Sequence, residues 1–378
     1  MTKLQPSQAL RSPARQRGLT LVEFMISIVL GMIMVAALAT LIADQSNNRA
    51  EVERNGRLIE NGRYSVRMMV DDLQMAGYWG ELSNTPAYAG AALPDPCELA
   101  ASNIKDAMGI HVQAYDWPAA SAAAGYNATG TAPTLSCIGN VKPGTDVIVV
   151  RHADPDASAL QTGGITDMNK VAAAAGSVML QTGMIAATQG FDYMMVAASS
   201  TANTNTTNFT LVKKDLTTRA TLRKTVVRIY YVSSCSVEVA GSCVGADNGN
   251  PIPTLKMAEL STAGGAPAWT KVSLAEGIEN LQVTFGVDSD NDGAPNGLDV
   301  APGSVALASW PDVMSAKLTL LVRSNEASPG YSDAKTYAMG TVDSAGTDGT
   351  VVAASDRYRR HVFVQSVRFV NPSGRRTS

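Results

Sequence analysis

The chain has 378 residues, 45% of them hydrophobic and 17% charged, with a formal net charge of −3. That balance is ordinary for a folded chain, and its mild acidity argues against general nucleic-acid binding. None of the four cysteines forms a CxxC pair, which argues against a thiol redox site or a four-cysteine zinc site.

Residues 1–18 hold Lys3, Arg11, Arg15 and Arg17 and no acid. Basic residues before a membrane span keep that end in the cytoplasm. From Leu19 to Ile42 the only charged side chain is Glu23, and from Phe24 to Ala43 there is none. About 20 such residues in a helix reach across a bilayer core of roughly 30 Å. A lone carboxylate costs about 2.5–3.5 kcal/mol at the centre of such a span and less near its end, so Glu23 asks for a partner. A secretory signal places a small-residue cleavage site after a core of about 7–15 apolar residues. Here the order is inverted: Gly18 precedes the core, and cutting after it would leave the hydrophobic helix on the mature chain as an anchor. The plainer alternative is an uncleaved single-pass anchor whose Glu23 snorkels.

Gly18 followed by Leu19-Thr20-Leu21-Val22-Glu23 resembles the class III signal of type IV prepilins and type II secretion pseudopilins. The resemblance implies cleavage after Gly18 by a membrane prepilin peptidase and N-methylation of Leu19, where the family usually has phenylalanine. It also implies that Glu23 meets the amino terminus of a neighbouring subunit during assembly. Each charge would be costly alone in low dielectric and gains from pairing. Removing the leader's four positive charges takes the formal net charge from −3 to −7.

The helix is expected to continue through residues 43–76, which contain no proline. Val66, Met69, Val70 and Leu73 form one stripe at i, i+3, i+4 and i+7, which Leu58 and Ile59 extend backwards. Gly56 and Gly62 each weaken the middle by about 1 kcal/mol relative to alanine, so a bend is expected there. Gly77 is the expected C-cap. Beyond residue 80 come β-rich runs at Asp146–His152, Asp192–Ala197, Phe209–Lys213, Thr225–Val232, Leu281–Val287, Ala316–Arg323 and His361–Val370. Alternation within LQVTFGV and AKLTLLVR predicts antiparallel strands with one buried face, set against the helix stripe. Ala119–Thr134, Ser199–Asn208 and Gly340–Ser355 read as mobile or partner-binding loops. An even cysteine count in an exported domain suggests disulfides. Of three connectivities the local one is expected, Cys235 with Cys243 and Cys97 with Cys137.

Helix followed by antiparallel sheet is the pilin architecture, and the length exceeds that of major pilins. Asn61-Gly62-Arg63-Tyr64, Asp71-Asp72-Leu73, Ala76-Gly77-Tyr78, the run GVDSDNDG at 286–293 and Arg359-Arg360-His361-Val362-Phe363 resemble large minor pilins of the PilW type. The fold class that follows is α+β and pilin-like, a long N-terminal helix packed on an antiparallel β-sheet domain with long loops. The expected organisation is a leader at 1–18, a transmembrane assembly helix at 19–43, its periplasmic half at 44–77 and a globular β-rich domain at 78–378. The resemblance implies an inner-membrane protein with a cytoplasmic N-terminus, which then enters a pilus fibre or its tip. Its implied partners are other minor pilins, the major pilin, the prepilin peptidase, the inner-membrane assembly platform and a pilus-tip adhesin. Two other readings are a type II secretion pseudopilin and a membrane-tethered adhesin or ligand-binding module.

One further motif stands apart. Asp288, Asp290 and Asp292 occupy positions 1, 3 and 5 of a calcium-type loop, Gly293 position 6, Ala294 position 7 by its carbonyl, Asn296 position 9 and Asp299 position 12. Glutamate is usual at position 12 and no helix is expected to flank the loop, so it is not an EF-hand. The alternative is an Asp/Asn/Gly turn held by side-chain-to-backbone bonds. No cofactor is required, and calcium is the one candidate ion. His111, His152 and His361 lie far apart in sequence, with no HExxH, GxSxG or P-loop pattern. His152 and His361 read as packing or surface residues at strand ends, and the chain reads as non-enzymatic.

Overall fold

The computed structural model describes residues 18, 20–116, 135–340, 350–352 and 355–376. Leu19, the 119–134 loop and most of the 340–355 loop lie outside them. By contacts the chain divides into two units, Met1–Glu53 and Arg54–Ser378.

Helix α1 spans Leu21–Met75 without a break, through both Gly56 and Gly62. Its portion in the first unit carries Phe24, Ile26, Val29, Leu30, Ile33 and Leu41 exposed. Among the described residues this stretch is not buried, and it is long and apolar enough to cross a membrane.

In the second unit α1 buries Leu58, Gly62, Ser65, Met69, Asp72 and Leu73. Burying Leu58, Met69 and Leu73 contributes about 1.5–3 kcal/mol each. The buried stripe is turned slightly from the apolar one, because Val66, Val70 and Ile59 are only partly buried. It admits two polar residues that have partners: the Ser65 hydroxyl donates to Asn61 O at 2.7 Å, and Asp72 enters the network described below. Gly62 is small for a reason. A Cβ there would sit 2.2 Å from the Phe363 ring, so the ring packs directly on the helix backbone. The helix ends at Gly77, which takes φ +71° while its N–H donates to Arg151 O at 2.9 Å.

Short helices α2 (Ala101–Asp106), α3 (Met168–Ala173), α4 (Ala202–Asn208) and α5 (Val370–Arg376) decorate two antiparallel sheets. The first sheet comprises β1 (Val112–Asp116), β2 (Asp146–Ala153), β3 (Val178–Met184), β4 (Phe191–Ala197), β5 (Leu222–Ser233), β6 (Thr254–Ala263) and β7 (Ala266–Glu276). Its strands run β1-β2-β5-β3-β4, with β6 pairing β5 and β7. The second comprises β8 (Ile278–Val287), β9 (Asn296–Val300), β10 (Val313–Arg323) and β11 (Arg360–Arg368), in the order β9-β8-β10-β11. A 3-10 turn at Pro302–Ser304 follows β9. One continuous core joins α1 to both sheets through Trp79, Tyr230, Leu281, Phe285, Trp310 and Leu320. The fold is α+β, a long N-terminal helix with an antiparallel β domain.

Two expectations need correction. Phe209–Lys213 forms no ladder; Val212 makes only isolated bridges to Met184 and Arg219. Ser199–Asn208 is not an open loop. It holds α4, where Asn205 is fully buried and both accepts from Ser199 N–H at 2.8 Å and donates to Ser199 O at 2.9 Å. The polar sequence disguises a segment pinned by side-chain-to-backbone bonds rather than by apolar periodicity.

Candidate functional site

At the start of α1, Gly18 is exposed. Thr20 and Glu23 close a reciprocal cap. Thr20 N–H and its hydroxyl each donate to Glu23 Oε2 at 2.9 Å, and Glu23 N–H donates to Thr20 Oγ1 at 3.2 Å. This is a capping box, and its sequence signal is the T-x-x-E spacing of Thr20 and Glu23. The carboxylate also sits at the positive end of the helix dipole. Its other oxygen, Oε1, has no hydrogen bond among the described residues.

The seat of α1 on the first sheet is polar and buried. Asp72 Oδ1 accepts from His152 Nε2 at 3.0 Å and from Arg228 Nη1 at 2.7 Å, while Oδ2 accepts from Tyr230 OH at 3.0 Å. Arg228 also donates to Glu259 Oε1, its direct cross-strand neighbour, at 2.8 and 3.0 Å. Burial alone would raise the Asp72 carboxyl, but His152, Arg228 and Tyr230 together hold it below the ordinary aspartate range. His152 is therefore not a surface residue. A groove of about 940 Å³ opens beside this network. Its lining mixes Arg67 and Lys224 with Asp71 and Asp154, which selects no single ligand charge.

The other histidines are apart from it. His111 is fully buried, bonds Val313 O at 2.8 Å, and is pushed by burial down to about 4, so it is neutral. His361 stacks edge-on against Phe363. The three do not converge.

Cys97 is bonded to Cys137 and Cys235 to Cys243, across 40 and 8 residues. In the chain-entropy account these closures are worth about 4 and about 2.5 kcal/mol. The shorter loop is further held by Asp247, whose carboxylate accepts from Ser236, Val237 and Ile252 N–H.

In the acidic loop, carboxylate oxygens of Asp288, Asp290 and Asp292 come within 4.8 Å of one another. Asp290 and Asp292 are exposed and Asp288 is buried. The loop is also internally satisfied. Asp288 accepts from Asn291 N–H at 2.7 Å and Gly293 N–H at 3.0 Å. Asp292 Oδ1 accepts from Ala294 N–H at 2.8 Å, and Asn296 Oδ1 from Ser289 N–H at 2.7 Å. Asp299 lies in β9. A cation is already present: Arg376 of α5 donates to Asp288 Oδ2 at 3.0 Å and also bonds Asp312. Arg368 reaches Gly293 O at 3.2 Å. The donor set suits a hard cation only once Arg376 leaves. Nothing local in the sequence signals that C-terminal arginine, 88 residues away.

Residues 13–39 match the family described as the prokaryotic N-terminal methylation motif, and residues 229–371 match type IV pilus-assembly protein W, PilW. This is a type IV pilin-like protein with a PilW region. The methylation motif covers Gly18, Leu19 and Glu23, while the PilW region takes in the last five residues of β5, all of β6 and β7, the second sheet and the acidic loop. The apolar helix and its motif mark the chain for membrane anchoring and pilus association. No curated protein matches the chain. Among solved structures, a type IV-like pilin from Thermus thermophilus aligns at TM-score 0.18 and 14% identity, over 39% of this chain and 78% of that one.

Proposed function

We propose that this pilin-like protein is a minor pilin that primes assembly of a type IV pilus and enters the fibre. The observation that supports it is a methylation motif at the head of an uncovered apolar helix, joined in one chain to a PilW region. The leader is cut after Gly18 by the prepilin peptidase, which methylates Leu19. Residues 19–43 then hold the protein in the inner membrane, with residues 44–77 and the globular domain at 78–378 in the periplasm. Other minor pilins, the major pilin, the assembly platform and a tip adhesin are its partners, and its work is packing rather than catalysis. Glu23 caps its own helix with one oxygen and offers the other to the methylated amino terminus of a neighbour, which sets axial register.

Glu23→Ala is expected to leave the protein membrane-inserted and to reduce surface pili and twitching. Normal pilus counts in that strain would remove the assembly role. In a deletion strain, loss of twitching with intact exoprotein export separates the pilus reading from a type II secretion pseudopilin.

Calcium at Asp288, Asp290 and Asp292, with Ala294, Asn296 and Asp299, is a second proposal, supported by the converging oxygens. Its ion must displace Arg376 from Asp288. Isothermal titration should give calcium heat with the full chain in detergent, lost in Asp290→Ala and enlarged in Arg376→Ala. No heat at millimolar calcium would remove the site.

A further inference from the structure

We propose that two adjoining basic pockets, which meet at Ser83, form a site for a linear acidic polysaccharide, a polyuronate. The first pocket, of about 690 Å³, is lined by the segment after α1 and by Arg375 and Arg376 of α5, with no acid. The second, of about 580 Å³, is lined by Lys213, Lys214, Glu81 and Phe191, the residue that opens β4. Ser83 belongs to both linings. His111, which also lines the first, is neutral and adds no charge. Four cations therefore stand against one carboxylate across the two pockets.

The cations are held differently. Arg375 Nη1 donates to Gly77 O at 2.8 Å, which fixes its guanidinium past the end of α1. Burial first, and the neighbouring Arg376 second, hold Arg375 below the ordinary arginine range, so an anion placed there gains from both. Arg376 already pairs with Asp288 and Asp312. Lys213 and Lys214 are exposed, and neither has an ion-pair partner among the described residues. Asp215, next to them in sequence, turns its carboxylate to Thr217 and Thr218 N–H at 2.9 and 2.7 Å.

The neutral groups select the ligand. Ser83, Asn84 and Thr85 line the first pocket in a row, and their side chains make no hydrogen bond among the described residues. Such groups match the hydroxyls of a sugar, while an arginine fork matches its carboxylate. A repeating chain brings successive carboxylates to Arg375 and to the lysine pair. Of the rings in these linings, Phe191 is 48% exposed, whereas Tyr88 is half-buried with its hydroxyl bonded to Ala92 O at 2.7 Å. One open ring suits a sugar face but makes no stacking platform for successive bases. The groove beside Asp72 differs, because its cations are balanced by acids.

Fluorescence anisotropy of a labelled oligogalacturonate, titrated with the full chain in detergent, tests the site. The probe should bind, and its affinity should fall as salt rises. A neutral malto-oligosaccharide of the same length should not bind. Replacing both exposed lysines, Lys213→Gln with Lys214→Gln, should weaken binding by about tenfold and leave the fold intact. Arg375→Gln should weaken it at least as much. That change also removes the Gly77 bond, so the lysine variant carries the comparison should Arg375→Gln fail to fold. No binding of the oligogalacturonate, or unchanged binding by the lysine variant, would overturn the proposal. An equal loss in Lys335→Gln, which lies outside both pockets, would overturn it too. So would equal binding of a single-stranded oligonucleotide of matched charge, since that marks a surface open to any polyanion.

Discussion

Replacing Arg360 with alanine should destabilise the globular unit by about 3–5 kcal/mol. Its side chain is 2% exposed and sits among three carboxylates from three separate stretches of chain. It meets Glu279 Oε2 at 2.5 Å, Asp333 Oδ2 at 3.2 Å and Asp356 Oδ2 at 2.6 Å. Asp333 is fully buried and also accepts from Tyr337 OH at 2.9 Å. Truncation leaves that buried carboxylate without its cation and takes the same partner from Glu279 and Asp356, which is the costly outcome for a buried ion cluster. Lysine should rescue only part of the loss, because a point charge cannot serve three carboxylates as a planar fork does. The Arg360 hydrogen bond holds the Asp356 carboxyl below its ordinary range against the opposing effect of burial. That part of the stability is present above the ordinary aspartate value and fades as pH falls through the folded one. Urea unfolding of the full chain in detergent measures the loss, and a shift below 1 kcal/mol would contradict the cluster's role.

Asp72→Ala should have a similar cost, about 3–5 kcal/mol, and a more local signature. The substitution strands His152 and Tyr230 under the helix and leaves Arg228 with Glu259 alone, where all three now converge on one carboxylate. Asp72→Asn should be milder, since an amide oxygen still accepts one of those bonds. Because Asp72 is the polar centre of the helix seat, the effect should concentrate on residues 58–75. Amide exchange there should accelerate more than in the second sheet. Uniform acceleration across the unit would mean that Asp72 stabilises the fold without seating the helix in particular.

What could be read from the chain divides along physical lines. Local patterns were legible: the uncharged run from Phe24 to Ala43, the stripe through Met69 and Leu73, and the alternation of β8 and β10. Each depends on residues close in sequence. Contacts between distant residues were not. Asp72 stood out only within Asp71-Asp72-Leu73, and nothing near it announces partners at 152, 228 and 230. In the same way Arg376 is invisible from the acidic loop that it neutralises, and the Phe363 ring is invisible from Gly62. Strands β1, β3, β6, β7 and β9 escaped because packing and pairing decide them more than strand propensity does. Helix α4 escaped because a single buried amide, Asn205, organises it. The Thr20–Glu23 cap is local, and the T-x-x-E spacing carries it.

On the proposed function, the apolar helix stays on the mature protein and begins at a processed end. Intact-mass and N-terminal peptide spectrometry of the protein extracted from membranes tests this most directly. The expected product is a chain that starts at Leu19, one methyl group heavier than the bare sequence. A chain that still starts at Met1, or one that has lost residues 19–43, would contradict it.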